Sequence, residues 1–184
     1  VTKVHLEAIK LFNKGFHIIL IGHDGHPEIE GTKGQVPNEN ISLIQTSNDA
    51  KNFVPPNKLP LAWISQTTLS VDDTENIVSI LKKRFPNILS PNKNDICYAT
   101  SNRQMAVKDI APLVELMIIV GSENSSNSKR LVEVSQNAGC QDSELIENVN
   151  YLNWSKIDKV KNIGLSSGAS APEILINEIK NELC

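Results

Sequence analysis

The chain has 184 residues, 40% of them hydrophobic and 21% charged, with a formal net charge of −3. This is ordinary globular composition, long enough for one large domain or two small ones, and it excludes disorder along the whole length. There is no basic block to hold nucleic acid, and no apolar run approaches the ~20 residues that span a bilayer.

A helix over 1–14 opens the chain. Val1, Val4, Ala8 and Leu11 share one face, and Gly15 stands where a helix ends in a left-handed residue. The start, Val1-Thr2-Lys3 with no initiator Met, reads as a chain cut from something longer. Residues 17–21, 41–44 and 61–64 are short β-branched runs of the kind buried on both faces of a parallel sheet. Ser70-Val71-Asp72-Asp73 resembles a capping box that opens a helix to Arg84, with Pro86 just beyond. Pro86, Pro91 and the polar Asn92-Lys93-Asn94-Asp95 mark a joint.

After the joint the pattern starts again. It predicts a helix over 102–112, a strand over 116–120, a helix over 127–137 ending near Gly139, and strands over 144–146 and 160–165. Ser170-Ala171-Pro172-Glu173 reads as a second capping box, opening a last helix to Leu183. Helices alternating with short buried strands imply an α/β fold with mainly parallel sheets. Ile21-Gly22-His23 and Val120-Gly121-Ser122 each close a strand, and Ser70 and Ser170 each precede a later helix. The offsets are 99 residues from Gly22 to Gly121 and 100 from Ser70 to Ser170. The chain therefore reads as two tandem copies of one α/β unit, over 1–94 and 95–184.

Loops that follow strands build ligand sites in such sheets. The loop from Gly22 to Thr32 carries two of the four histidines beside several carboxylates. It could be a polar turn, a metal site of His23, His26 and Glu28, or a substrate loop in which His26 binds an anion and Glu28 moves protons. His5 and His17, in a helix and a strand, are expected to be structural. The run from Gly121 to Ser128 crowds hydroxyls and amides at a helix start, where free N–H groups and the dipole favour anions. Simple capping needs one such residue, and here there are several. Ser166-Ser167-Gly168-Ala169-Ser170 has the same form, and Gln66-Thr67-Thr68 holds the equivalent place in the first copy. Cys97 sits just before a helix, as a reactive thiolate, a metal ligand or a small apolar residue. Three cysteines, an odd and sparse set, point away from a secreted disulfide scaffold and toward a reducing compartment; Cys140 and Cys184 receive no role.

These segments, in order and over essentially the whole chain, resemble the LytB family of 4-hydroxy-3-methylbut-2-enyl diphosphate reductases. The resemblance rests on Val1-Thr2-Lys3-Val4-His5, Gly22-His23 through Gly34-Gln35, and Gln66 through Thr74. It continues in Asp95-Ile96-Cys97-Tyr98-Ala99-Thr100, Asn102-Arg103-Gln104, Val120-Gly121-Ser122, Asn124 through Ser128, and Gly168 through Pro172. It implies a protein of three related α/β units around a cleft, of which this chain would hold the second and third. It implies a 4Fe-4S cluster held by three cysteines, with Cys97 matching the last of them. His26 matches a histidine contacting the diphosphate, Glu28 the proton-supplying acid, and Thr67 a threonine near the substrate hydroxyl. Ser125, Ser126 and Asn127 match one diphosphate-binding helix start, and Ser170 the second.

The implied reaction is reductive loss of the allylic hydroxyl as water, giving isopentenyl and dimethylallyl diphosphates, the last step of the methylerythritol phosphate route to isoprenoids. A ferredoxin or flavodoxin-type carrier would supply electrons, in a bacterial cytoplasm or a plastid. In the family, chain preceding the position of Val1 supplies two further cluster cysteines and two histidines, and a tail follows the position of Cys184. The chain as given is therefore expected to carry half a site and little activity. The competing expectations are a non-catalytic anion-binding pair of α/β units and a mononuclear metal hydrolase.

Overall fold

The computed structural model describes residues 2–91 and 96–184. Val1 and the joint residues Asn92-Lys93-Asn94-Asp95 lie outside the described residues. The chain forms two compact units, Val1–Cys97 and Tyr98–Cys184.

In the first unit α1 (Thr2–Asn13) leads into β1 (His17–Ile21) through Gly15, whose φ of +81° is the left-handed turn expected there. There follow α2 (Pro27–Lys33), β2 (Ile41–Ile44), α3 (Ser47–Asn52), β3 (Leu61–Ser65) and α4 (Val71–Arg84). The sheet is parallel in the order β2-β1-β3, with Ile18 opposite Ile41 and Ala62. Every residue of β1 and β3 is buried, because helices cover both faces. Ile18, Leu20, Ala62 and Ile64 pack on Val4, Ala8 and Leu11 of α1 and Ile29 of α2. Ile19, Ile21 and Trp63 pack on Ala50 of α3 and Ile77, Val78 and Leu81 of α4. Each fully buried Ile or Leu contributes about 1.5–3 kcal/mol, so these continuous apolar strands drive the layering.

The second unit repeats the plan. It runs α5 (Tyr98–Ile110), β4 (Leu116–Val120), α6 (Ser126–Asn137), β5 (Ser143–Ile146), α7 (Trp154–Ile157), β6 (Ile163–Ser167) and α8 (Glu173–Leu183). Its parallel sheet has the order β5-β4-β6. Met117 and Ile119 face Val107, Leu131 and Val134, while Leu116, Ile118 and Val120 face Leu152 and Ile179. The α/β class with parallel sheets is therefore found in both units.

Several boundaries differ from expectation for local reasons. The loop after β1 holds a short helix, α2, that its glycines and charges disguise. An unexpected helix, α3, is set by a true capping box in which Thr46 Oγ1 accepts the Asp49 N–H and the Asp49 carboxylate accepts the Thr46 N–H. Helix α5 begins at Tyr98, four residues before the expected start. Strand β6 begins at Ile163 rather than 160, because the Glu115 carboxylate takes the N–H groups of Lys161 and Asn162. Ser170 is not the cap of the last helix. Pro172 occupies the N-cap with extended backbone and no side-chain capping bond, and the chain first turns through an Ala171 N–H to Gly168 carbonyl bond.

Candidate functional site

In the first unit the candidate residues gather at the carboxyl ends of β1 and β3. The chain leaves β1 through Gly22, whose missing side chain makes room for Ile29 and for Gln66. Gln66 is 1% exposed and bridges two loops. Its Oε1 accepts the His23 N–H at 3.1 Å, and its Nε2 donates to Thr68 Oγ1 at 2.9 Å. The outer part of the loop is tied by Lys33, which donates to Asp24 at 3.2 Å and Glu30 at 3.1 Å. The Glu30 and then the Asp24 carboxylates hold that ammonium above its usual pKa.

His26 is the N-cap of α2, and its Nδ1 accepts the Glu28 N–H at 3.1 Å. A neutral imidazole accepting at Nδ1 carries its proton on Nε2, which makes Nε2–H a donor of fixed direction. Glu28 follows as the second helical residue and is 3% exposed. A buried carboxylate is costly unless it is hydrogen-bonded. Here both oxygens accept the Thr67 N–H at 3.2 Å, and Oε2 also accepts the Thr67 hydroxyl at 3.0 Å. The Thr67 carbonyl in turn accepts the Cys97 N–H at 3.2 Å. The Cys97 thiol is exposed and unpaired. Hydrogen bonds thus link the Glu28 carboxylate to Thr67 and Thr67 to the backbone of Cys97, although Glu28 and Thr67 are 39 residues apart in sequence. His23 is exposed, and the Glu28 carboxylate is bonded to Thr67. Among the described residues no three His, Cys, Asp or Glu side chains are grouped to hold a metal ion. The hydrolase expectation gains no support from this arrangement.

In the second unit the site is the start of α6. Ser125 is the N-cap, and its hydroxyl accepts the Ser128 N–H at 3.3 Å. Ser126 and Asn127 are the first two helical residues. Asn127 is 7% exposed, and both atoms of its carboxamide are buried without a hydrogen-bond partner. Buried amides are nearly always paired, so an unpartnered one at a helix start is a candidate ligand contact. Ser170 is exposed and lines a cavity of about 330 Å³ at the ends of β4, β5 and β6. Ser122, Glu147, Asn148 and Pro172 share that lining.

The structure therefore brings His26, Glu28, Thr67 and Cys97 together in one unit. It places Ser125, Ser126 and Asn127 on one helix start in the other, with Ser170 in the adjoining cavity wall's loop after β6. Sequence reasoning missed Gln66 as the bridge between the loops after β1 and β3. It also missed Glu147 and Asn148, whose only signal is their place directly after a parallel strand. Cys140, 2% exposed, packs in the core and donates to the Asp142 carbonyl. His17 is a core residue held by Ser42 and Asn57.

A family model described as LytB protein matches residues 1–184. A relative from Rhodopseudomonas palustris, 4-hydroxy-3-methylbut-2-enyl diphosphate reductase 2, is 52% identical over 179 residues, covering 97% of this chain and 56% of the relative. The 4-hydroxy-3-methylbut-2-enyl diphosphate reductase of Hyphomonas neptunium is also 52% identical, with 97% of this chain and 57% of the relative covered. The solved structure of the E-1-hydroxy-2-methyl-but-2-enyl-4-diphosphate reductase from Plasmodium falciparum superimposes with a TM-score of 0.91 at 36% identity, covering 98% of this chain and 56% of that one. The chain thus spans a little over half the length of the relatives it matches.

Proposed function

Because the chain belongs to the LytB family, we propose that it forms part of an iron–sulfur reductase that removes the allylic hydroxyl of 4-hydroxy-3-methylbut-2-enyl diphosphate. Its two units would be the second and third of the three the family carries. Two electrons and two protons convert the substrate into isopentenyl or dimethylallyl diphosphate and one water. A ferredoxin or flavodoxin-type protein is the proposed electron source, in a bacterial cytoplasm or a plastid. Three cysteines without a disulfide among the described residues agree with a reducing compartment.

The observation that carries this reading is the hydrogen-bonded chain from Glu28 through Thr67 to the backbone of Cys97. Cys97 fits one thiolate ligand of a 4Fe-4S cluster, being exposed and held by its backbone beside Thr67. Cys140 does not fit, because it is buried in the core. When bound, the cluster supplies the electrons and a Lewis-acidic iron for the leaving oxygen. This chain's own residues do the rest. Thr67 Oγ1 donates to Glu28, and it would also bond the substrate hydroxyl. Once protonated, Glu28 Oε2 would give its proton to Thr67 Oγ1 as the Thr67 hydroxyl gives its own to the leaving oxygen, the reverse of the bond in which Thr67 donates to Glu28. In the second unit the Ser125 and Ser126 hydroxyls, the Asn127 amide and Ser170 would contact the diphosphate, and in the first unit His26 Nε2–H would be a donor to an anionic group of the substrate.

The test is Glu28→Gln in the full-length protein. Gln keeps the shape and cannot release a proton at this step. Turnover is expected to fall by about 10²–10⁴, while cluster content and substrate binding persist. Full turnover in that variant would remove Glu28 from the mechanism.

A further inference from the structure

We infer that Ser128 is a positioning residue, a hydroxyl wedge that seats the start of α6 on the sheet and thereby aims the Asn127 amide; this rests on Asn127 being an anion contact, as proposed above. Ser128 is 1% exposed, and its Oγ is buried without a hydrogen-bond partner. A buried hydroxyl with no partner is a net cost to the fold, so its bonding does not explain it. Its volume does. Gly121 and Gly168 each close a strand, and a Cβ built on either would fall on Ser128 Oγ. The two glycines are themselves fixed to the sheet. The Gly121 N–H donates to the Ile146 carbonyl and the Gly168 N–H to the Val120 carbonyl, both at 2.9 Å. The hydroxyl therefore fills a slot between the ends of β4 and β6. The neighbouring residue is Asn127, whose Nδ2 would lie 3.8 Å from a Cβ on Gly168.

The first unit uses the same device. Ile29, third in its helix, fills the space left by Gly22 at the end of β1. The second residue of that helix is Glu28. In both units the third residue is wedged at a strand-closing glycine, and the second carries the polar group of the site. The offset is 99 residues from Glu28 to Asn127 and from Ile29 to Ser128, matching Gly22 to Gly121. A wedge of this kind matters because a small displacement of a binding group is costly: about 1 Å can change a rate ~10²-fold.

The space can be exchanged between the two residues. In Ser128→Ala the slot loses its filling. In Gly168→Ala a methyl collides with the hydroxyl. In the double variant the methyl introduced by Gly168→Ala takes the place of the lost oxygen, 3.4 Å from the Ser128 Cβ and in ordinary contact. The experiment measures inorganic pyrophosphate binding to the full-length protein by calorimetry, beside the thermal midpoint of each variant. Ser128→Ala is expected to weaken binding about tenfold with no fall in midpoint, since a buried unpaired hydroxyl has been removed. Gly168→Ala is expected to weaken it at least as much. The double variant is expected to bind more tightly than either single one, within about threefold of wild type.

A double variant no tighter than Ser128→Ala overturns the inference. If Gly168→Ala does not fold, that same comparison decides. Unchanged binding in Ser128→Ala overturns it too, as does a loss in Ser128→Ala equal to that in Asn127→Ala which the double variant does not recover, because the hydroxyl is then itself the contact. A wild-type protein that does not bind pyrophosphate, or an Asn127→Ala variant that binds it unchanged, overturns the anion-site reading and this inference with it. Indifference to Ser128 and Gly168 alone overturns only the inference.

Discussion

Thr67→Val tests how the buried acid is held. Valine keeps the volume and branching of threonine, so the change deletes little more than the hydroxyl that donates to Glu28 Oε2 at 3.0 Å. Glu28 is 3% exposed, so solvent cannot replace that donor. The Thr67 N–H remains bonded to the carboxylate at 3.2 Å. Losing one of these donors to a buried acceptor is expected to cost about 1–3 kcal/mol. For a unit of this size each kcal/mol lowers the midpoint by about 4–8 °C. The assay is urea unfolding followed by Trp63 fluorescence in a Trp154→Phe background. Trp63 is 8% exposed and lies in the first unit, whereas Trp154 is 45% exposed and lies in the second. A double-mutant cycle with Glu28→Gln isolates the pair, with an expected coupling of at least ~1 kcal/mol. Coupling below ~0.5 kcal/mol, the scatter of independent sites, would refute the claim that Thr67 holds Glu28.

Two further outcomes follow from other parts of the chain. His17 is fully buried between Ser42 and Asn57 and stacked on Phe53, and burial holds its imidazole below the usual 6.5. The unfolded chain takes up a proton below that pH while the folded one resists, so stability is expected to be full above about pH 6.5 and to fall as the pH drops further. Urea midpoints from pH 7.5 to 5 in the wild type and in His17→Gln check this, and equal slopes would show that another group is responsible. Anaerobic reconstitution of this 184-residue chain is expected to yield iron and sulfide near zero, since among the described residues no three His, Cys, Asp or Glu side chains are grouped to hold a metal. A full complement that survives Cys97→Ser would mean that other ligands hold the cluster.

The central strands were legible because each carries a short apolar run, Ile18 to Ile21 in β1 and Leu116 to Val120 in β4. Only a parallel sheet covered on both faces can bury such runs as 17–21 and 116–120. The longer helices were legible from one-sided apolar patterns and punctuating glycines, as at Gly15. Helix α2 was not. It is 7 residues long with a central glycine, and its cap is a histidine. Strand β6 was misplaced because the carboxylate of Glu115, far off in sequence, takes the N–H groups of Lys161 and Asn162. Ser170 had the look of a cap, but Pro172 sets the start of α8.

Sequence by itself determined the layered α/β plan, its internal repeat and the residue types at each strand end. These follow from periodicity and backbone chemistry, which act over a few residues. Only the tertiary structure decided which of those residues meet. Thr67 reaches Glu28 across 39 residues, and Ser128 fills a slot between Gly121 and Gly168 at the ends of two strands. Such contacts depend on sheet order and close packing, and a parallel sheet joins strand ends that no local pattern connects.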